Sequence, residues 1–310
     1  MHLLVPFAFV PSEGVHRALS GLALPHLRRL LARLRHVTPD HGDELSLSPP
    51  HERAWARARG WPLTDGLLPL AAQAARDAGL SVPIGSGWAF VHPTHWHWGT
   101  EQASLTDPAA LALDDTNARP LFNALVPLFA DAGWRLHWLR PDVWLAQHAL
   151  LATLPTASLD RVIGRNVDPW LDAAPEVRPV LRQVRRLQAE AQMVLHTLGQ
   201  PLEHPVNSIW FSGTGPAPAP TPIPPGWQVD TRLRAPALAD EGAAWAAAWQ
   251  ALDAGPIQSL LTQPANAPVA LTLCGERHAL CFTRASTSPW WHRLGWLPAA
   301  PQPSTVLTTL

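Results

Sequence analysis

Short apolar segments alternate with amphipathic segments along most of this chain of 310 residues. Leu3–Phe9 is apolar and contains valine and phenylalanine, a composition typical of a buried strand. Pro25–Leu34 carries leucines at helical spacing with arginines on the opposite side, which predicts an amphipathic helix. Because strands that alternate with helices build βαβ units, this order predicts an α/β fold with a largely parallel sheet.

Helical periodicity is strongest over residues 178–198, where apolar side chains form one stripe and Gly199 follows as a stop signal. A second helical stretch opens at Asp107, but Pro120 and Pro127 argue against its running unbroken to Gly133. Further helices are predicted over 48–60, 65–79 and 237–252.

The predicted strands are shorter and lie between these helices. They cover residues 88–91, 135–139, 143–146, 208–211, 271–273 and 279–282. The last two flank a turn-like sequence and indicate an antiparallel hairpin at one edge of the sheet. Residues 155–169 are predicted as a loop, and the tail after Trp296 as weakly structured. Six prolines within 216–225 predict a stiff extended connector.

Composition excludes several classes of function. All 23 basic residues are arginine, so a phosphate-binding lysine, a Schiff-base lysine and a serine–lysine dyad are impossible. A net charge of −1 with 15% charged residues argues against a nucleic-acid partner. No apolar run is long enough to span a membrane, and the two cysteines match neither a disulfide scaffold nor a zinc spacing. We expect a reduced, soluble, cytoplasmic protein without a cofactor or a metal.

Histidines are concentrated in the segment that begins at His92. On a strand, His95 and His97 point to the same face, whereas His92 points to the other. Two such imidazoles are candidate metal ligands or catalytic bases, although Glu101 is the one acid beside them. The alternative is a half-buried strand end whose histidines bond to the backbone.

A polar loop offers a candidate anion site. It contains Asp160, Arg161, Arg165 and Asp168, and its two guanidiniums could clamp an anion. The alternative is a loop whose acids and arginines pair with one another. Asn207 precedes a predicted strand that ends at Gly213–Gly215, where ligands of open α/β sheets bind, but a tight turn required by the fold explains the glycines equally.

Two further positions have a chemical and a structural interpretation. Ser48 stands at a predicted helix start, where it is either an activated nucleophile or an N-cap. Cys274, Glu276 and His278 form either a thiol site or a hairpin turn.

Several motifs resemble known proteins. The run from Asn207 to Gly215 resembles the Asn-x-Ile-Trp-x-x-Gly-x-Gly signature of archaeal-type, cofactor-independent phosphoglycerate mutases, and Ser104–Leu145 resembles their inserted domain in order and spacing. The runs Leu-Ser-Pro-Pro-His-Glu-Arg, His-Trp-His and Leu-Cys-Gly-Glu-Arg resemble a bacterial family labelled phosphoglycerate mutase-like or RpfE-type regulatory proteins.

This resemblance implies an alkaline-phosphatase-like core with a mostly parallel sheet and an inserted α+β subdomain. The core would comprise residues 1–85 and 175–310, with the connector 216–225 inside it, and the insertion residues 86–174. Enzymes of that kind use two divalent metals and a serine or threonine nucleophile at a helix start. Here the segment Leu3–Pro11 contains no acid, and no Asp-His pair follows Pro216. Two-metal phosphoryl transfer requires such ligands.

We therefore predict a non-catalytic or regulatory phosphoglycerate mutase-like protein that binds a small anionic ligand near Asp160, Arg161, Arg165 and Asn207. One alternative is an active metal-dependent phosphomutase or phosphatase whose site is rebuilt from Ser48, His95 and His97. A second alternative is a protein–protein interaction module that uses the tryptophans Trp290, Trp291 and Trp296.

Overall fold

The computed structural model describes residues 1–99, 102–171, 174–264, 266–284 and 301–310, and two main sheets organise them. Contacts group the chain into two units. Unit 1 comprises residues 1–44, 49–59 and 222–310, and unit 2 comprises residues 45–48 and 60–221. Among the described residues, no helix combines the length and apolar content that crossing a bilayer requires.

The strands are β1 (His2–Val5), β2 (Arg35–His41), β3 (Trp88–Thr94), β4 (Trp96–Trp98), β5 (Ala103–Leu105), β6 (Arg135–Arg140), β7 (Val143–Gln147), β8 (Ser208–Ser212), β9 (Trp227–Val229), β10 (Ala270–Cys274) and β11 (His278–Thr283). The helices are α1 (Glu13–Leu19), α2 (Pro25–Arg33), α3 (Pro50–Ala58), α4 (Leu70–Asp77), α5 (Asp115–Asp131), α6 (Leu159–Val162), α7 (Arg178–Thr197), α8 (Arg234–Leu238), α9 (Gly242–Leu252), α10 (Gln258–Leu261) and α11 (Pro303–Leu307). Short 3-10 turns occupy Pro108–Leu111, Ala149–Ala152 and Asp168–Trp170, and a π-turn occupies Asp253–Ile257.

Unit 1 is built on a five-stranded sheet with the order β2-β11-β10-β1-β9. β1 runs parallel to β9 and β10, whereas β11 runs antiparallel to β10 and β2. The predicted α/β class and the predicted C-terminal hairpin are confirmed, and the sheet is mixed. One face buries Leu3 and Leu271 in a core with helical leucines and tryptophans. On the opposite face, Leu4, Cys274 and Ala279 pack against Ala54 of α3.

Unit 2 contains a four-stranded antiparallel sheet with the order β6-β7-β3-β8. The amphipathic faces of α5 and α7 close its larger core, which contains Leu125, Trp144 and Leu195. Alanines of α4 pack with Trp88 and Leu145 in a smaller cluster. A separate two-stranded ribbon, β4–β5, carries the histidine-rich segment.

The predicted helices differ from the observed ones where side-chain contacts outweigh local signals. α5 continues through Pro120 and Pro127 because both prolines are exposed while its other face is buried. The helix predicted over 65–79 begins only at Leu70, since the carboxylate of Asp65 accepts hydrogen bonds from the backbone amides at positions 47 and 48. α6 lies within the predicted loop, and α11 within the tail predicted as weakly structured.

The predicted division, with a core of residues 1–85 and 175–310 and an insertion at 86–174, stays a prediction. Unit 2 extends from Gly60 to Thr221, because α4 contacts β3 while α7 contacts α5 and β8. Its C-terminal boundary falls inside the proline-rich segment 216–225. The finer expectation of an alkaline-phosphatase-like core stays a prediction.

Candidate functional site

Ser48 links two segments of unit 2. The residue is 2% exposed, and its Oγ accepts a hydrogen bond of 2.8 Å from the backbone N–H of Gly66. Its own N–H donates to the Asp65 carboxylate at 2.8 Å. The N-cap position of α3 belongs to Pro49 and has no side-chain cap, so the predicted N-cap role of Ser48 is wrong. The hydroxyl serves to hold segment 45–48 against the turn at 65–66.

Three imidazoles gather at the β4–β5 ribbon. The rings of His95 and His97 lie on the same face with their centroids 4.5 Å apart, as strand alternation predicts. His204 joins them, with its ring centroid 5.4 Å from that of His95 and 6.1 Å from that of His97. His92 points elsewhere, and its Nε2 lies 2.9 Å from the hydroxyl of Ser212. His204 could not be connected with this group from the sequence, because more than a hundred residues separate it from His95 and His97.

Two of the three imidazoles, those of His95 and His97, have a nearby polar partner. His95 donates from Nδ1 to the carbonyl of Pro205 at 2.7 Å, and Nε2 of His97 lies 2.9 Å from the hydroxyl of Thr106. Burial, together with the charges of His95 and His204, lowers the pKa of His97. Among the side chains that the structure describes, no three histidines, cysteines or acids are arranged to hold a metal ion.

The two predicted anion-binding arginines have different environments. Arg161 lies in α6 and is 2% exposed, and its Nε donates to the carbonyl of Ser46 at 2.9 Å. Arg165 is half-buried and follows Gly164, whose φ of 69° turns the chain after α6. Asp160 lies in the first turn of α6.

Asn207 fixes the ribbon to β8. Its side-chain oxygen accepts from the N–H of Trp96 at 2.7 Å, and its Nδ2 donates to the Trp96 carbonyl at 2.9 Å. Trp96 pairs with Leu105 in the ribbon, and Leu105 in turn forms a bridge with Ile163 at the end of α6. The ribbon therefore connects the surroundings of Asn207 to the loop that carries Arg165.

The Gly213–Gly215 segment is a tight turn that the fold requires. Gly213 has a φ of 67°, and a Cβ there would lie 2.7 Å from the ring of Phe90. The hydroxyl of the buried Thr214 lies 2.7 Å from the carbonyl of Leu154 and 3.0 Å from that of Gly66.

Unit 1 contains a cavity that the sequence analysis missed. It has a volume of about 200 Å³ and lies between α3 and the sheet face that carries His2, Asp40 and Trp227. Cys274 is buried in the same face, and burial raises the pKa of its thiol, which disfavours the reactive thiolate. The thiol-site interpretation of Cys274 therefore loses support. The spacing of Thr38 and Asp40, two residues apart on β2, is the sequence signal that points to this face.

Comparisons with known proteins give distant similarities. No family model matches the chain. It is 31% identical over 82 residues to the actin cytoskeleton-regulatory complex protein pan1 of Emericella nidulans, a stretch that covers 26% of this chain and 6% of that protein. A cofactor-independent phosphoglycerate mutase from Thermoplasma acidophilum is 11% identical, with a TM-score of 0.37 and coverage of 98% of this chain and 94% of that chain. The PH0037 protein from Pyrococcus horikoshii is 12% identical, with a TM-score of 0.45 and coverage of 92% and 87%. Identities and TM-scores this low assign neither a family nor a function.

Proposed function

We propose that this protein is a non-catalytic or regulatory relative of the phosphoglycerate mutases that binds a small anion and transfers no phosphoryl group. The proposal includes the alkaline-phosphatase-like core and a cytoplasmic location. The resemblance of the Asn207–Gly215 motif supports the relationship. One observation supports the absence of catalysis, namely the hydrogen bonding of Ser48.

A nucleophilic serine needs a general base within hydrogen-bond reach and access for its substrate. The hydroxyl of Ser48 is buried and accepts the Gly66 N–H. The two candidate bases, His95 and His97, have polar partners in and beside the ribbon. Ser48 therefore serves the fold in this geometry, and its hydroxyl is shielded from a substrate.

The anion is assigned to the loop after α6. Arg165 is the residue proposed to contact it, since its side chain is partly exposed. Arg161 adds a buried positive charge nearby in sequence, and a buried guanidinium raises the local potential in favour of an anion. Asn207 has a positioning role, because its side chain holds the ribbon through hydrogen bonds to the backbone of Trp96. Asp160 is assigned to the same site by its place in the first turn of α6, where its N–H donates to the hydroxyl of Ser158.

Phosphatase and phosphoglycerate mutase assays test the proposal. The full chain is assayed with Mn²⁺ and with Zn²⁺, beside a Ser48→Ala variant. We expect no metal-dependent turnover from either protein. The variant should also lose about 1–3 kcal/mol of unfolding free energy, because the Gly66 N–H loses its buried acceptor. Turnover by the wild type that Ser48→Ala abolishes would overturn the proposal.

A second candidate is an active metal-dependent phosphomutase or phosphatase that uses Ser48, His95 and His97, and the geometry does not favour it, because no three described histidines, cysteines or acids are arranged to hold a metal ion. That candidate requires tightly held metal ions. Elemental mass spectrometry on desalted protein tests it, after exposure to manganese and zinc. Stoichiometric metal that a His95→Gln/His97→Gln double variant loses would favour it. Equal residual metal in both proteins would count against it.

The interaction-module alternative stays a prediction. Its tryptophans, Trp290, Trp291 and Trp296, lie outside the described residues.

A further inference from the structure

The cavity of unit 1 lies between one face of the sheet and the small side chains of α3. Thr38 pairs with Cys281, and Cys281 pairs with Thr272, so the three side chains form one row across β2, β11 and β10. α3 covers this row with Ala54 and Ala58. Because alanines are short, the helix and the sheet leave space between them, and the cavity occupies that space.

A net positive charge lies beside this cavity. Asp40 forms an ion pair of 3.0 Å with Nε of Arg53, and both side chains are largely buried, with 13% and 11% exposed. Arg57 stands 3.7 Å from the other carboxylate oxygen and is 52% exposed. One carboxylate thus faces two guanidiniums. Within the part of the chain that the structure describes, Arg57 forms this long ion pair and no hydrogen bond, so its N–H donors can receive a ligand.

The remaining wall is aromatic and apolar. Trp227 contacts His2 at a centroid distance of 3.8 Å and Trp55 at 6.3 Å, which fixes its indole against the sheet. The Nε2 of His2 lies 2.8 Å from the Thr272 hydroxyl. Burial and the neighbouring N-terminal ammonium lower the pKa of His2 to about 4, so this imidazole is neutral at pH 7.

These features define a ligand class. A cavity of about 200 Å³ is smaller than the roughly 300–1,000 Å³ pockets that hold drug-sized molecules, so it suits a single ring. Indole and alanine walls favour an apolar ring. One available guanidinium at the edge matches one carboxylate, which it can bind through two parallel hydrogen bonds. A phosphate dianion would require more donors than these walls supply.

We propose that this cavity binds a small aromatic monocarboxylate, with its carboxylate on Arg57 and its ring between Trp227 and the alanines of α3. This site goes beyond the anion site proposed around Arg165, because it belongs to the other unit and takes a different class of anion.

Fluorine NMR titration of the full chain with 4-fluorobenzoate tests the inference. The matched uncharged probe is 4-fluorobenzamide, which has the same ring and no charge. Arg57→Gln removes the carboxylate partner, and Ala58→Leu fills the cavity without changing the charge. Arg17→Gln is the control, since Arg17 is another exposed arginine of unit 1 that pairs with an acid, Glu13.

We expect saturable binding of 4-fluorobenzoate and at least about tenfold weaker binding of the amide, because a hydrogen bond between two charged groups is stronger than one that involves a neutral partner. Arg57→Gln should weaken benzoate binding about tenfold or more, Ala58→Leu should abolish it, and Arg17→Gln should leave it unchanged. Absent binding, or binding that neither cavity variant alters, would overturn the inference. Titration with inorganic phosphate, comparing wild type and Arg165→Gln, tests the proposed function separately, so either proposal can fail alone.

Discussion

Thr214 shows how a buried hydroxyl can join distant parts of the chain. Its Oγ1 lies within hydrogen-bond distance of the carbonyls of Gly66 and Leu154 and 2.9 Å from the hydroxyl of Thr156. Valine has nearly the same shape but no hydroxyl, so Thr214→Val leaves these polar partners short of a hydrogen bond in the core. We expect a loss of about 1–3 kcal/mol in unfolding free energy, measured by urea denaturation.

Thr197→Val provides the matched control. Its hydroxyl donates to the Val194 carbonyl at 2.7 Å, but the residue is at the exposed end of α7. Water can replace that bond, so the control should change stability by less than about 0.5 kcal/mol. Equal effects of the two substitutions would show that the hydroxyl of Thr214 contributes nothing beyond its methyl packing.

Residue types alone identified the polar positions but not their partners. Ser48, Asn207 and the histidines were selected because their side chains can perform chemistry. The structure gives Asn207 a backbone partner 111 residues away, and Ser48 one 18 residues away. A hydroxyl or amide that caps a distant backbone group has the same local sequence as one that binds a ligand. Only the folded structure shows which of these two roles a polar side chain has.

At the scale of elements, α5 shows how much an interior proline lowers the unfolding free energy. The helix starts with a capping box between Asp114 and Asn117, and it buries one apolar face along its length. Pro127 is exposed and removes one backbone hydrogen bond. We expect Pro127→Ala to raise the unfolding free energy by about 1–2 kcal/mol, since the restored bond outweighs the added freedom of the unfolded chain.

Pro25→Ala is the control for this substitution. Pro25 is exposed and occupies the first turn of α2, where a missing N–H costs no helical hydrogen bond. Its replacement should leave stability unchanged or slightly lower. If Pro127→Ala gives no gain in thermal or urea unfolding, the helix has already accommodated its proline through a bend.

Elements that depend on local periodicity were predicted well. α2, α7 and the β10–β11 hairpin lie close to their predicted positions, because each shows its pattern within one continuous stretch. The pairing of β1 with β9 and β10 could not be predicted, since His2 lies opposite Trp227 and Ala270, more than two hundred residues away. Long-range pairing also explains why the cavity beside β1 was missed.

Across the whole molecule, several histidines are held neutral by the fold. Burial is the main cause of a lowered pKa at five of them, which occur in both units: His2, His97, His137, His148 and His278. An imidazole that resists protonation in the folded state accepts a proton when the chain unfolds. These groups therefore couple the stability of the molecule to pH.

The sign of this coupling follows from His2, whose pKa is lowered from 6.5 to about 4. Above pH 6.5 neither the folded nor the unfolded state binds the proton, so His2 does not change the unfolding free energy there. Between pH 6.5 and about 4 the unfolded chain binds it and the folded chain does not, so the unfolding free energy falls with falling pH. The loss due to His2 should be on the order of 2 kcal/mol, since partial exposure of the ring screens the full difference.

The loss of unfolding free energy due to His2 can be measured by urea unfolding. Wild type and His2→Gln are compared at several pH values from neutral down to about 4.5. Glutamine keeps a hydrogen-bonding group near Thr272 but does not titrate, so the variant should lose less stability than the wild type across the same range. The other four histidines should leave a residual dependence of the same sign in the variant. Parallel pH profiles for the two proteins would show that the fold does not suppress the protonation of His2.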